Sequence, residues 1–327
     1  MIKLIHEIND KKNLIVFIHG FIGGEETWIK ENKTKPFIDL FLNENDVFDN
    51  FDIGIFHYHT ELLSFFPKTK SIIGMLTSRK TPVNLSINEI SRLLDSQLKY
   101  SYSQYENIVL IGHSMGGLIA KRFVLDDITK NSTTRVKLYV SLATPHSGSN
   151  LATYGKTIIN NFQIKDLSPL SDSITAMNGE WVQCRQLPKR IYAQGSYDVV
   201  VPKVSSVSFD ADAQEVVYCD EDHFSIITPQ GKSVVVDAIV PELRKLIQEQ
   251  AIKAIKNSQR FVDNGQYEEE TFVLKMLMAD IHKTLMNGSK QAFFNAEFAI
   301  RKLNAQGVNI EDLNPLCECL RLRSIYF

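Results

Sequence analysis

Three residue types in this chain are spaced so that together they could carry out acyl-transfer chemistry. Ser114 is the central residue of Gly112-His113-Ser114-Met115-Gly116. The apolar run Ile108 to Ile111 leads directly into it, and Leu118 to Leu125 reads as a helix just after it. A serine on a sharp strand-to-helix turn sits in strained backbone, and a side chain at either flanking glycine, Gly112 or Gly116, would collide with neighbouring elements. The turn lifts the hydroxyl above the sheet, and the helix N-terminus stabilises negative charge that develops there. A bare G-x-S-x-G is common by chance. One set between a strand and a helix, with Gly117 following, reads as a nucleophile elbow.

A serine nucleophile needs a base. Of the eight histidines, those at 6, 19, 57 and 59 precede Ser114, His113 lies inside the turn, and His146 comes early, after the next strand. His282 belongs to a later helical stretch. His223 follows a late strand and precedes the last helix of the sheet region, so it is the expected base. In the chain order Ser, acid, His, the carboxylate falls between 114 and 223. Asp198 is preferred because it follows a strand and a glycine-containing turn, Gln194 to Ser196. Asp220 and Asp222 are rivals, but they stand so near His223 in sequence that reaching its ring from behind is difficult.

The oxyanion of an acyl-transfer intermediate needs two donors. The segment His19 to Gly24 follows the first buried strand and has the H-G-x form, so the main-chain N–H of Phe21 is one expected donor. The N–H of Met115 is the other. Gly20 to Gly24 lacks the G-x-x-x-x-G-K-[ST] pattern of a phosphate loop. His19 and His146 are candidate substrate-pocket residues, with a structural hydrogen bond the favoured role for His146.

The elements that must position these residues alternate. Apolar runs at Asn13–Ile18, Asp52–Phe56, Ile108–Ile111, Val136–Leu142, Arg190–Ala193 and Glu215–Tyr218 read as strands. Ser86 to Tyr100 reads as an amphipathic helix opened by a capping box, Ser86 with Glu89. A last helix runs from about Lys232 into Ile255, bent or restarted at Pro241. This alternation predicts an α/β fold with a mostly parallel, doubly wound sheet. Residues 60–82 are rich in Leu, Phe and Ile, and serve equally as a lid over an acyl pocket or as core.

After Lys256 the strand signals stop. Asn257 to Gln259 and Asp263 to Gln266 are turn-forming, and helical spacing resumes at Leu274, Leu277, Met278, Ile281 and Leu285. The expected domains are therefore residues 1–256, catalytic, and 257–327, a small all-helical module. Composition narrows the partners: 36 Lys and Arg against 38 Asp and Glu leave a net charge of −2, which argues against nucleic acid. Hydrophobic residues at 44% and charged ones at 23% exclude global disorder. Met1 to Asp10 lacks a signal-peptide stretch, and no run of about 18 apolar residues suggests a transmembrane segment. Four cysteines, including Cys317 and Cys319, do not form a disulfide framework. The expectation is a cytoplasmic protein without metal or cofactor.

The motifs together resemble the α/β-hydrolase superfamily over residues 10 to 255. More closely, they resemble serine esterases and lipase-like proteins related to GPI inositol-deacylases. The resemblance rests on H-G-x at His19, G-H-S-M-G-G at Gly112, Ala143-Thr-Pro-His-Ser-Gly-Ser149 after a strand, Asp166 to Ser171, Met177-Asn178, and His223 to Pro229. It implies an α/β-hydrolase fold with Ser114 as nucleophile, Asp198 as acid, His223 as base, and Phe21 and Met115 as oxyanion donors. It also implies cleavage of a carboxylic ester, a lipid or other acyl ester, with thioesterase and amidase or peptidase activity as alternatives. The C-terminal helices lie outside the resemblance. They are expected to bind a partner protein or to self-associate, in preference to simply packing as part of the fold, and a regulated effector hydrolase that binds a partner through them is an alternative reading of the function.

Overall fold

The apolar runs become buried strands because a parallel sheet is covered on both faces. The computed structural model describes residues 1–8, 12–20, 24, 27–30, 33–34, 36–58, 86–147 and 168–258. Among these the strands are β1 (Ile2–His6), β2 (Asn13–Ile18), a short pair β3 (Ile29–Lys30) and β4 (Lys33–Thr34), β5 (Asp52–Phe56), β6 (Asn107–His113), β7 (Val136–Leu142), β8 (Lys189–Gly195) and β9 (Val216–Cys219). The main sheet has seven strands in the order β1-β5-β2-β6-β7-β8-β9. All neighbours pair in parallel except β1, which runs antiparallel along β5. The mostly parallel doubly wound sheet is therefore present. β1 is an addition to the sequence reading, since five residues are too few for their periodicity to stand out.

The α-helices among the described residues are α1 (Pro36–Leu42), α2 (Asn45–Phe48), α3 (Ile87–Ser96), α4 (Met115–Asn131), α5 (Ser168–Gln183) and α6 (Val234–Ser258). The capping box of α3 forms as expected: Glu89 N–H donates to Ser86 Oγ at 3.3 Å, and Ser86 N–H donates to the Glu89 carboxylate at 2.8 Å. α6 runs as one element through Pro241, so of the two expectations, a bend or a restart, the restart does not occur. Pro241 and Asp237, whose carbonyl loses its donor, are both exposed, so water can replace the bond. Buried Ile239, Val240 and Leu243 hold the helix against the sheet.

Strand alternation divides the core in two. Leu14, Val16, Ile18, Leu110, Tyr139 and Tyr192 share one cluster with side chains of α3, α4 and α5. Ile15, Phe17, Val109, Ile111 and Val140 share the other with α1 and α6. The chain divides into two units, Met1–Ile252 and Lys253–Phe327. The helices expected beyond residue 258 and the segment 60–82 lie outside the described residues. No helix among those described is long and apolar enough to cross a membrane.

One buried charge was not anticipated. Lys121, on α4, is fully enclosed, and its Nζ donates to Asn178 Oδ1 at 2.8 Å and to Ser208 Oγ at 3.3 Å. The ammonium also lies 4.9 Å from the centre of the Trp181 ring. Ser208 Oγ donates to Asp210, whose other oxygen pairs with Arg190, itself paired with Glu215. Burial pushes the Lys121 ammonium down to about 7 and the Arg190 charge adds to this, while Asp210 works against the shift.

Candidate active site

β6 ends at His113 and α4 starts at Met115, which leaves Ser114 alone to turn the chain. It does so at φ 56° and ψ −129°, a region that side-chain-bearing residues rarely occupy. The neighbouring glycines explain how the turn fits. A Cβ on Gly116 would stand 2.4 Å from the Ile18 carbonyl oxygen, and one on Gly112 would stand 2.4 Å from Gly117 N. The loop after β2 passes directly against the serine: a Cβ on Gly20 would lie 2.8 Å from Ser114 Cβ. Met115 is the first helical residue, so its N–H has no partner within the helix and adds to the positive end of α4. Phe21 lies outside the described residues.

β8 and β9 deliver the other two groups. Asp198 Oδ2 is 2.9 Å from His223 Nδ1, and both side chains are almost wholly withdrawn from water. Asp198 Oδ1 accepts the N–H groups of Val200 and Val201, each at 2.8 Å. A carboxylate only accepts, so His223 Nδ1 carries a proton and Nε2 remains the basic nitrogen. The two loops are also tied through their main chains, with Tyr197 N–H donating to the Glu221 carbonyl at 3.0 Å. The rival Asp222 acts locally. It accepts the N–H groups of Phe224 and Ser225 at 2.7 and 2.8 Å, and the bonds from Ser225 and then Phe224 hold its carboxyl below the usual range.

The two pocket candidates are both buried. His19 Nδ1 donates to the Gly20 carbonyl at 2.8 Å, while Nε2 accepts the Tyr58 N–H at 3.4 Å. The ring stacks on Tyr58 at 4.0 Å. Burial pushes its pKa down to about 3, so the ring is neutral and props the turn beside Ser114. His146 Nε2 lies 3.1 Å from Ser141 Oγ, its carbonyl accepts Asn178 Nδ2 at 2.6 Å, and its Nδ1 has no hydrogen-bond partner among the described residues. Burial first, then the Lys121 charge, holds it far below the usual histidine range. His113 lies inside the turn, where its sequence position points to no role, yet its ring reaches the main chain of His223. Among the described residues no group of three or more His, Cys, Asp or Glu could hold a metal ion.

The strand order, the elbow and the late histidine loop are now in place. The family model described as the PGAP1-like alpha/beta domain matches residues 13–265, well over half of the chain. The chain belongs to that family. It is a hydrolase of the α/β-hydrolase type. A second model, C-terminal domain 8 of the ABC-three component (ABC-3C) systems, matches residues 263–327. Among solved structures, the Bacillus licheniformis lipase BlEst2 is 16% identical, with 74% of this chain and 98% of that one covered and a TM-score of 0.48. Est1E from Butyrivibrio proteoclasticus, with ferulic acid bound, is 13% identical over 77% of this chain and 94% of its own, with a TM-score of 0.49. No curated protein matches the chain.

Proposed function

We propose that this PGAP1-like protein cleaves a carboxylic ester, of a lipid or another acyl compound, through an acyl-enzyme. Ser114 Oγ attacks the ester carbonyl carbon while His223 Nε2 takes the hydroxyl proton. Asp198 holds the ring orientation and balances the imidazolium charge. The N–H groups of Met115 and Phe21 receive the oxyanion. Collapse of the tetrahedral intermediate breaks the bond to the alcohol, which leaves with the proton from His223. Water then attacks the acyl-serine with His223 again as base, and the acid is released.

The observation that carries this reading is the buried Asp198–His223 pair, supplied by the loops that follow β8 and β9, in a chain whose one elbow serine is held at positive φ. Labelling by a serine-directed fluorophosphonate, lost in Ser114→Ala, is the test, with hydrolysis of short acyl esters as the second readout. Retained labelling in that variant would sink the assignment. A thioester or amide would use the same groups, so kcat/KM on matched ester, thioester and amide decides between them.

The match of residues 263–327 favours a second, compatible reading: the hydrolase is an effector whose C-terminal segment joins it to partners in an ABC-three component system. Co-expression with the other components of such a system, followed by size-exclusion chromatography, tests it; a chain that elutes alone argues against it. A reducing, cytoplasmic setting fits the free thiols of Cys184 and Cys219.

A further inference from the structure

We infer that His113 is a positioning residue: its ring ties the main chain of the base to the nucleophile turn and sets the distance between Ser114 and His223. The inference rests on the triad proposed above and adds a member to its support. Side chains alternate along β6, so Gly112 faces α4 while His113 points to the opposite face, beside Trp28. There the ring is wedged edge-on to Trp28, at 6.4 Å between centres, and tilted against the His223 ring at 4.9 Å. His113 is only 5% exposed. Its Nε2 lies 2.8 Å from the His223 carbonyl oxygen, across 110 residues of sequence. A carbonyl only accepts, so His113 Nε2 carries the proton and donates it.

The consequence is geometric. His113 and Ser114 are joined by a peptide bond, and His113 holds the peptide of His223. Nucleophile and base therefore belong to a short closed circuit. The bond between Ser114 and its base must change proton ownership in every turnover, which makes it a poor anchor. A bond one residue away that takes no part in the chemistry keeps the spacing constant through the cycle. The peptide that His113 grips is held from its other end as well, because the Asp222 carboxylate accepts the N–H groups of Phe224 and Ser225, so the loop is stiff. Displacing a reacting group by about 1 Å costs on the order of 100-fold in rate.

The experiment compares His113→Phe, which keeps an aromatic wedge and removes the donor, with His113→Gln, whose amide can donate from nearly the same place. The wild type is first titrated with fluorophosphonate, and kcat, KM, the pH profile of kcat/KM and thermal unfolding are then measured for all three proteins. The expected result is a loss in kcat of about 10- to 100-fold in His113→Phe, with KM within about twofold and a shifted acid limb. His113→Gln should recover kcat to within about threefold of wild type. Unchanged kcat and pH profile in His113→Phe overturns the inference, and so does equal impairment of both variants, which would make the ring's shape the only requirement. Should His113→Phe fail to fold, His113→Gln decides alone: near-wild-type kcat supports the donor role and a large loss overturns it. A wild type that neither reacts with the phosphonate nor turns over ester removes the triad reading itself. A wild type that reacts, beside an unaffected His113→Phe, removes only the role of His113.

Discussion

Asp198 meets His223 through one carboxylate oxygen at 2.9 Å and gives the other to two main-chain N–H groups, those of Val200 and Val201. The carboxylate is thus oriented by three donors before substrate arrives, two of them main-chain N–H groups that do not depend on the histidine. Asp198→Asn keeps the shape but can present an N–H where the ring needs an acceptor. It is expected to lower kcat on a short acyl ester by about 10³- to 10⁴-fold. Asp222→Asn, whose amide oxygen can still cap Phe224 and Ser225, should change kcat by less than about threefold. Steady-state kinetics of the two variants would show a reversed order if the acid were misplaced.

Ser114→Ala should lose about 10⁴-fold or more in turnover and all fluorophosphonate labelling, while the protein stays folded. Mass spectrometry of labelled wild type locates the adduct, and an adduct on any other serine contradicts the mechanism.

The elbow glycines admit little change. Gly116→Ala would drive a methyl group into the carbonyl oxygens of Ile18 and His19, at 2.4 and 2.5 Å, and backbone atoms there have no easy way to give. A loss of about 2–4 kcal/mol in unfolding free energy is expected. Denaturant titration measures it, and a loss below about 0.5 kcal/mol would show that the turn is looser than its geometry implies.

Lys121 makes stability depend on pH on the alkaline side. Its ammonium is held near pKa 7 in the fold, against an ordinary lysine value of 10.5. Between those values the unfolded chain binds more protons, so stability from this group rises with pH from about 7 and is complete above about 10.5. The difference in melting temperature between wild type and Lys121→Met should therefore move in favour of wild type as pH rises from 7 to 9.5. A difference that stays constant with pH would contradict the depressed value.

The acid side belongs to two histidines. His19 is held down to about 3, and His146 well below its usual 6.5, in both cases first by burial. Their contribution is complete above pH 6.5 and is lost as pH falls toward their folded values, because the unfolded chain takes up protons first. Unfolding free energy should decline between pH 6.5 and 4. The decline should be shallower in His19→Gln, which keeps a polar side chain but has nothing to titrate. Equal slopes in the two proteins would assign acid lability elsewhere.

Much of the site was legible because its signals are local. The Ser114 turn announces itself through Gly112 and Gly116, since a residue at positive φ between a strand and a helix needs neighbours without side chains. The Ser86–Glu89 cap spans three residues, and the buried strands appear as apolar runs. What only the tertiary structure decided is which distant groups meet. Chain order already singles out Asp198 and His223, but it does not show that His113 reaches the carbonyl of His223 across 110 residues, or that Lys121 finds Asn178 on α5 and Ser208 in the stretch between β8 and β9. No periodicity encodes such pairs. They depend on the register of neighbouring strands and on how deeply each side chain is buried, and those are settled only when the whole sheet packs.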